Sequence, residues 1–289
     1  MSYATLLMWF LAIPVAGMIG LVVRDWWLGK RARGVMWQGW SPYGLLLALM
    51  VVAILYTTPW DHHLIAIGVW WYRPSLVSGV TWGRIPLEEV IFFPVQTAFI
   101  GLWCLWLIPR LAGRGRAAAA GARADRRAES VSHGARDGKP LRLILVVASG
   151  CLWLMALALL LSGWRPGTYL GWELVWALPP IMLQLGVGGD ILWRYRSLLM
   201  VALVPTALYL SGVDALAIGA CIWTIDPHQS LGILIAGRLP LEEAIFFTLT
   251  SVIVAFALVL WTAPVFHERM HASRVLRPLF RWKMERSGA

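Results

Sequence analysis

Four glutamates stand where acid chemistry could be done. The decapeptide RIPLEEVIFF, from Arg84 to Phe93, recurs as RLPLEEAIFF, from Arg238 to Phe247, with eight of ten positions identical. Each copy opens an apolar run. Proline in a first helical turn followed by glutamates suits the helix dipole, and that would account for one copy. Keeping the same arginine and both carboxyls at two separate helix starts points to chemistry instead. Glu88 and Glu89 lie about 100° apart around a helix. The four-residue rule sets Glu88 beside Phe92 and Glu89 beside Phe93, and likewise Glu242 beside Phe246 and Glu243 beside Phe247. Gln96 and Thr97 in one copy, and Thr250 and Ser251 in the other, carry the polar character deeper. Acidic groups at the edge of hydrocarbon are costly and mark function by default. A protonated carboxyl in an apolar pocket can act as a general acid, and aromatic faces stabilise a cation that forms beside it. Glu88 and Glu242, directly facing Phe92 and Phe246, are the expected proton donors.

The approach to each decapeptide is repeated too. Asp61 and Trp70 are nine residues apart, as are Asp214 and Trp223; Pro74 and Pro227 each follow four residues after that tryptophan. Pro14 and Asp25 are eleven apart, as are Pro179 and Asp190. Trp60, Trp70, Trp71, Tyr72 and Trp82 precede the first copy and Trp223 the second; for any single tryptophan an interfacial belt is the better account. Asp61 and Asp214 either assist the acid or cap a loop. Arg84 and Arg238 either pair with the carboxylates or hold the loop. His62 and His63 have no counterpart in the second copy and read as loop residues. The three cysteines, Cys104, Cys151 and Cys221, are isolated, and no glycine-rich nucleotide loop, P-loop or aspartate-rich diphosphate cluster occurs. No cofactor and no metal are therefore expected.

The elements that position these groups are membrane helices. Of 289 residues, 59% are hydrophobic and 14% charged, which excludes an ordinary soluble domain and a disordered chain. Seven spans are expected, at about 3–23, 43–58, 87–108, 141–162, 170–189, 197–213 and 241–262. The first lacks a basic leader and reads as a permanent helix. Spans 1 to 3 correspond to spans 5 to 7, and span 4 is extra, so matching helices run in the same direction through the membrane. The expected fold is all-α and polytopic, with two parallel three-helix repeats plus a linking helix. Its parts are a first repeat at 1–110, a flexible linker at 111–140, a linking span at 141–163, a second repeat at 164–264 and a basic tail at 265–289. The net charge is +10, and all but four of the 25 basic residues fall after spans 1, 3, 5 and 7. The exceptions are Arg73, Arg84, Arg165 and Arg238. The basic excess thus reports orientation rather than nucleic acid: N-terminus outside the cell membrane, C-terminus in the cytoplasm. The tail, with Phe266, Leu276, Leu279, Phe280 and Trp282, either lies on the anionic inner leaflet or is unstructured.

The duplicated Pro-Leu-Glu-Glu with its Phe-Phe, and the Asp…Trp approach to it, resemble the lycopene cyclase domain family of the membrane-integral, heterodimer type, here with both subunit domains fused. The resemblance covers nearly the whole chain apart from linker and tail. It implies cyclisation of the open ψ-ends of a linear carotenoid without net redox change. Protonation at C2 gives a cation at C1, the C5=C6 bond closes on it, and loss of a proton from C6 gives a β-ring, or from C4 an ε-ring. It also implies a carotenoid partner within the bilayer, and a second copy of the chain or other carotenoid enzymes as protein partners. Ring type and a C40 or C50 substrate stay open. So does a proton-coupled transporter, which would also use parallel repeats and intramembrane carboxyls; a retinal-linked receptor is disfavoured because Lys30, Lys139 and Lys283 all lie outside the spans.

Overall fold

The computed structural model describes residues 1–28, 41–120 and 138–272. Among them are seven helices long and apolar enough to cross a membrane: α1 (Tyr3–Trp27, containing a π-turn at Met8–Ala12), α2 (Pro42–Ala66), α3 (Leu87–Ala120), α4 (Gly138–Leu161), α5 (Thr168–Arg194), α6 (Arg196–Gly219) and α7 (Leu241–Thr262). A short helix, α8 (Pro264–Ala272), follows. The protein is an all-α polytopic membrane protein built from two parallel three-helix repeats and a linking helix.

Several boundaries differ from those expected, for physical reasons. Helix α2 runs past residue 58 to Ala66 and α6 past Asp214 to Gly219. Asp61 and Asp214 are 1% and 2% exposed, so each carboxyl points into the bundle and the helix continues without presenting a charge to lipid. Asp61, Asp214, His62 and His63 are thus helical, not loop, residues. The stretch 111–140 is not wholly irregular: its alanines, the strongest helix formers, extend α3 to Ala120, and α4 begins at Gly138. The rest of that linker, and the tail residues Leu276, Leu279, Phe280 and Trp282, lie outside the described residues.

Helices α3 and α7 form the centre. They pack on each other; α3 also meets α1, α2 and α6, and α7 meets α2, α5 and α6. Helix α4 packs along α5 with most of its surface left to lipid. At the opposite end of the bundle from the glutamates, Asp25 pairs with Arg110, and Asp190 is held by both guanidinium nitrogens of Arg269 at 2.9 and 2.7 Å. The strands cap the glutamate end. β1 (Trp70–Tyr72) from the first repeat pairs antiparallel with β4 (Trp223–Ile225) from the second, in the register Trp70↔Ile225, Trp71↔Thr224, Tyr72↔Trp223. Two flanking hydrogen bonds, Arg73 N to Ile222 O at 2.9 Å and Asp226 N to Val69 O at 2.8 Å, obey the same local twofold. Two small hairpins, β2 (Thr81–Trp82) with β3 (Ile85–Pro86) and β5 (Leu234–Ile235) with β6 (Leu239–Pro240), lead directly into α3 and α7.

The prolines and aromatics of the spans are paired in function. A proline removes the donor that would meet the carbonyl four residues earlier, and hydrocarbon offers no substitute. Four such carbonyls are taken by aromatic side chains of other helices. Tyr209 donates to Phe10 O, freed by Pro14, at 2.8 Å; Tyr56 donates to Trp176 O, freed by Pro180, at 2.9 Å. Trp153 donates to Val175 O, freed by Pro179, at 3.1 Å, and Trp103 to Val201 O, freed by Pro205, at 3.3 Å. The two tyrosine bonds are pseudo-symmetric and each crosses from one repeat to the other. The structural counterpart of Pro14 is therefore Pro180, one residue beyond the one selected by spacing to the aspartates. Between Pro180 and Asp190, α5 leaves helical geometry at Gly188 (φ −152°, ψ 26°). Tyr56→Phe and Tyr209→Phe should each lower stability by about 0.6 kcal/mol, and by no more than about 1.7 kcal/mol, the average and maximum for interhelical hydrogen bonds in membranes. The exposed Tyr43→Phe should be near neutral in the same denaturation assay; equal values for all three would show that the freed carbonyls carry no cost.

Candidate active site

Each glutamate pair is divided by the helix it opens. The first member turns back to the preceding loop. Glu88 accepts from Ser78 N at 2.6 Å and from Ser78 Oγ at 3.0 Å; Glu242 accepts from Leu231 N at 2.6 Å. The second member, about 100° further round, faces the interior. Glu89 Oε2 accepts from the Tyr3 hydroxyl at 2.5 Å, and Glu243 Oε1 from the Tyr169 hydroxyl at 2.7 Å. Tyr3 begins α1 and Tyr169 begins α5, so one tyrosine–glutamate pair comes from each repeat.

Both pairs open on one cavity, with about 440 Å³ of space outside atoms, part of it open to the surroundings. Its polar lining is Tyr3, Glu89, Asp61, Tyr72, Tyr169, Glu243 and Asp214, and its aromatic lining is Trp60, Trp70, Trp223, Phe92, Phe93, Phe246 and Phe247. Among the described residues, no lysine, arginine or histidine lines it. The two repeats interlock around it. Trp70 of the first packs on Tyr169 of the second at 5.2 Å between ring centroids, and Trp223 of the second packs on Tyr3 of the first at 5.1 Å. Phe92 meets Phe247 edge-on at 6.2 Å, and Trp60 stacks parallel to Phe246 at 5.7 Å and on Trp176 at 4.8 Å. The Asp61 carboxyl oxygens and Asp214 Oδ2 are buried with no hydrogen-bond partner among the described residues. Burial, and then the nearby Glu89 and Asp61 carboxyls, push the Tyr72 hydroxyl well above its usual value, so it stays a donor at any working pH.

The structure thus gathers Glu89, Glu243, Asp61, Asp214, Trp70, Trp223 and all four phenylalanines at one place. It leaves out Glu88 and Glu242, which bind loop groups, and Arg84 and Arg238, which are exposed and make no ion pair with a glutamate among the described residues. Three residues escaped the sequence reading: Tyr3, Tyr169 and Glu173. The tyrosines are seven residues before Phe10 and Trp176, but nothing in the sequence shows that they reach the glutamates. Glu173 is an acidic residue inside a span, which is itself a signal; it lacks a copy in the first repeat, and a search by repetition passes over it. Among the described residues, no cluster of three or more His, Cys, Asp or Glu side chains is placed to hold a metal ion. Glu242→Ala should raise hydrogen exchange at Leu231 and its neighbours by roughly tenfold, the scale of losing the hydrogen bond to that carboxyl. Glu243→Ala should leave those amides protected; the reverse pattern would contradict the division of the pair.

Comparison with known proteins adds an independent line. The pattern of the family described as "Lycopene cyclase" matches residues 1–107 and 166–261, leaving out the linker and α4. A protein named lycopene beta-cyclase from Halobacterium salinarum is 36% identical over 260 residues, covering 90% of this chain and 95% of that one. A bifunctional lycopene cyclase/phytoene synthase from Podospora anserina is 32% identical over 221 residues, covering 73% of this chain and 34% of that longer protein. No solved structure matches.

Proposed function

Because the chain belongs to the lycopene cyclase family, we propose that it closes β-type end rings on a linear carotenoid by proton-initiated cyclisation at this cavity, without net redox change. The observation that carries the reading is the convergence of two tyrosine–glutamate pairs, one from each repeat, on a single aromatic-lined space. The name of the Halobacterium relative supports the β-ring outcome. Family membership also takes away the ground for a transporter.

The chemistry follows from the lining. Four carboxyl groups with no cation among the lining residues cannot all be ionised together in an apolar space, so the set holds exchangeable protons. One tyrosine–glutamate pair delivers a proton to C2 of the terminal alkene. The tyrosine hydroxyl fixes the carboxyl by donating to one of its oxygens. The C1 cation forms between indole and phenyl faces, which stabilise it, and the C5=C6 electrons close the ring and move the charge to C5. A carboxylate of the opposite pair, or the aspartate beside it, takes the C6 proton and the C5=C6 double bond forms. One proton enters and one leaves for each ring. The clamps at Glu88 and Glu242 hold the loops over the site while this happens. By the positive-inside rule the cavity lies at the extracytoplasmic end of a multi-pass cell-membrane protein whose N-terminus is outside.

Expression in a lycopene-accumulating bacterium, with chromatography of the pigments, tests the reading directly. A β-ringed product is expected. An ε- or γ-ring would correct the product, and unchanged lycopene would overturn the function. In the same cells Glu89→Gln and Glu243→Gln should each reduce cyclisation by about 100-fold or more, the scale of a lost general acid, whereas Glu88→Gln and Glu242→Gln should stay within about tenfold of the parent. Equal losses at all four positions would contradict the assignment. Residues 1–115 and 136–289 made as separate chains should be inactive singly and active together, since each supplies one pair. Cyclic product from either piece alone would favour two independent sites.

A further inference from the structure

The two tyrosine–glutamate pairs look alike but their surroundings differ at one position. On α5, one turn after Tyr169, stands Glu173; at the same distance after Tyr3 on α1 stands Leu7. Glu173 is 0% exposed, and neither of its carboxyl oxygens has a hydrogen-bond partner among the described residues. The carboxyls that act on it electrostatically are Glu243 and then Glu242, whose Oε2 is likewise buried and unpartnered. From α2, His63 packs edge-on against Trp172, the residue before Glu173, with ring centroids 4.4 Å apart and its Nε2 unpartnered. The loop leading to the second hairpin seats against the same place: Gln229 O accepts from Tyr169 N at 3.0 Å, and Leu231 N reaches Glu242. Glu173 lies outside the cavity lining.

A buried carboxyl without partners is destabilising, and the first repeat shows that leucine fills this position without difficulty. Resting on the cyclase reading above, we propose that Glu173 is a proton-supply residue for Glu243, which makes the second repeat the proton-donating side of the site and the Glu89 side the receiving one. After Glu243 has given its proton to C2, Glu173 gives its own to the Glu243 carboxylate once side-chain rotation brings the two, which make no hydrogen bond at rest, within reach. The carboxylate left on Glu173 is reprotonated from the solvent side of the 226–232 loop. The proton taken from C6 leaves by the Glu89 side, so one proton enters and one departs for each ring, with no electron transferred. Glu173 is thus a positioning residue acting through Glu243.

The test compares two kinetic regimes with full-length protein in lipid, using lycopene. With enzyme in excess, Glu173→Gln and Glu173→Leu should form the first ring at near the parental rate, because Glu243 starts protonated. With substrate in excess, turnover should fall tenfold or more, and Glu173→Asp should recover part of it. Unchanged steady-state turnover in the leucine variant, or equal loss in both regimes as a packing defect would give, overturns the inference while leaving the cyclase reading in place. If the leucine variant misfolds, the near-isosteric glutamine variant decides on the same criteria. A parental chain that forms no ring overturns the function and this inference together.

Discussion

Inside hydrocarbon, a polar group has only the protein to satisfy it, and the fold is organised by that constraint. It gives the prolines in the spans and several of the aromatic side chains a shared role. Carbonyls opened by Pro14, Pro179, Pro180 and Pro205 are closed by Tyr209, Trp153, Tyr56 and Trp103 from neighbouring helices. It explains why the first glutamate of each pair is tied to a loop amide. The same constraint makes the exceptions meaningful. Among the described residues, the unpartnered carboxyl oxygens of Asp61, Asp214, Glu173 and Glu242 lie in and behind one cavity, where the proposed proton chemistry would use them.

The same contacts make the repeats interdependent. Tyr56 and Tyr209 each bond the first helix of the other repeat. Among the described residues, β1 and β4 pair with each other and with no other strand, and each repeat's tryptophan packs on the other's tyrosine. A single repeat would have open carbonyls, an unpaired strand edge and half a cavity. Duplication with later divergence can then assign different work to equivalent positions, as the contrast between Glu173 and Leu7 illustrates.

Much of this could be read in the sequence because repetition filters function from hydrophobicity. Apolar positions drift among apolar residues, so the duplicated decapeptide and the Asp…Trp spacing stood out, and they lead to the cavity. The choice within each glutamate pair could not be read, because it depends on which side of the first helical turn the hairpin crosses, a tertiary fact. Helix ends at Ala66 and Gly219 were missed because an aspartate reads as a span boundary until a buried cavity is known to receive it. Tyr3 and Tyr169 were invisible for a related reason: a tyrosine at a helix start suits an interfacial belt equally well, and only packing brings its hydroxyl to a glutamate.

The central claim is that one carboxyl set delivers the proton and a different set removes one. Cyclisation of unlabelled lycopene in deuterated water reads this out in the product itself. Separate groups predict full solvent deuterium at C2 of every new ring, because the proton taken from C6 never returns to the donor. Deuterium diluted by the substrate's own hydrogen, or absent, would mean that one group performs both transfers, and would contradict the composite site.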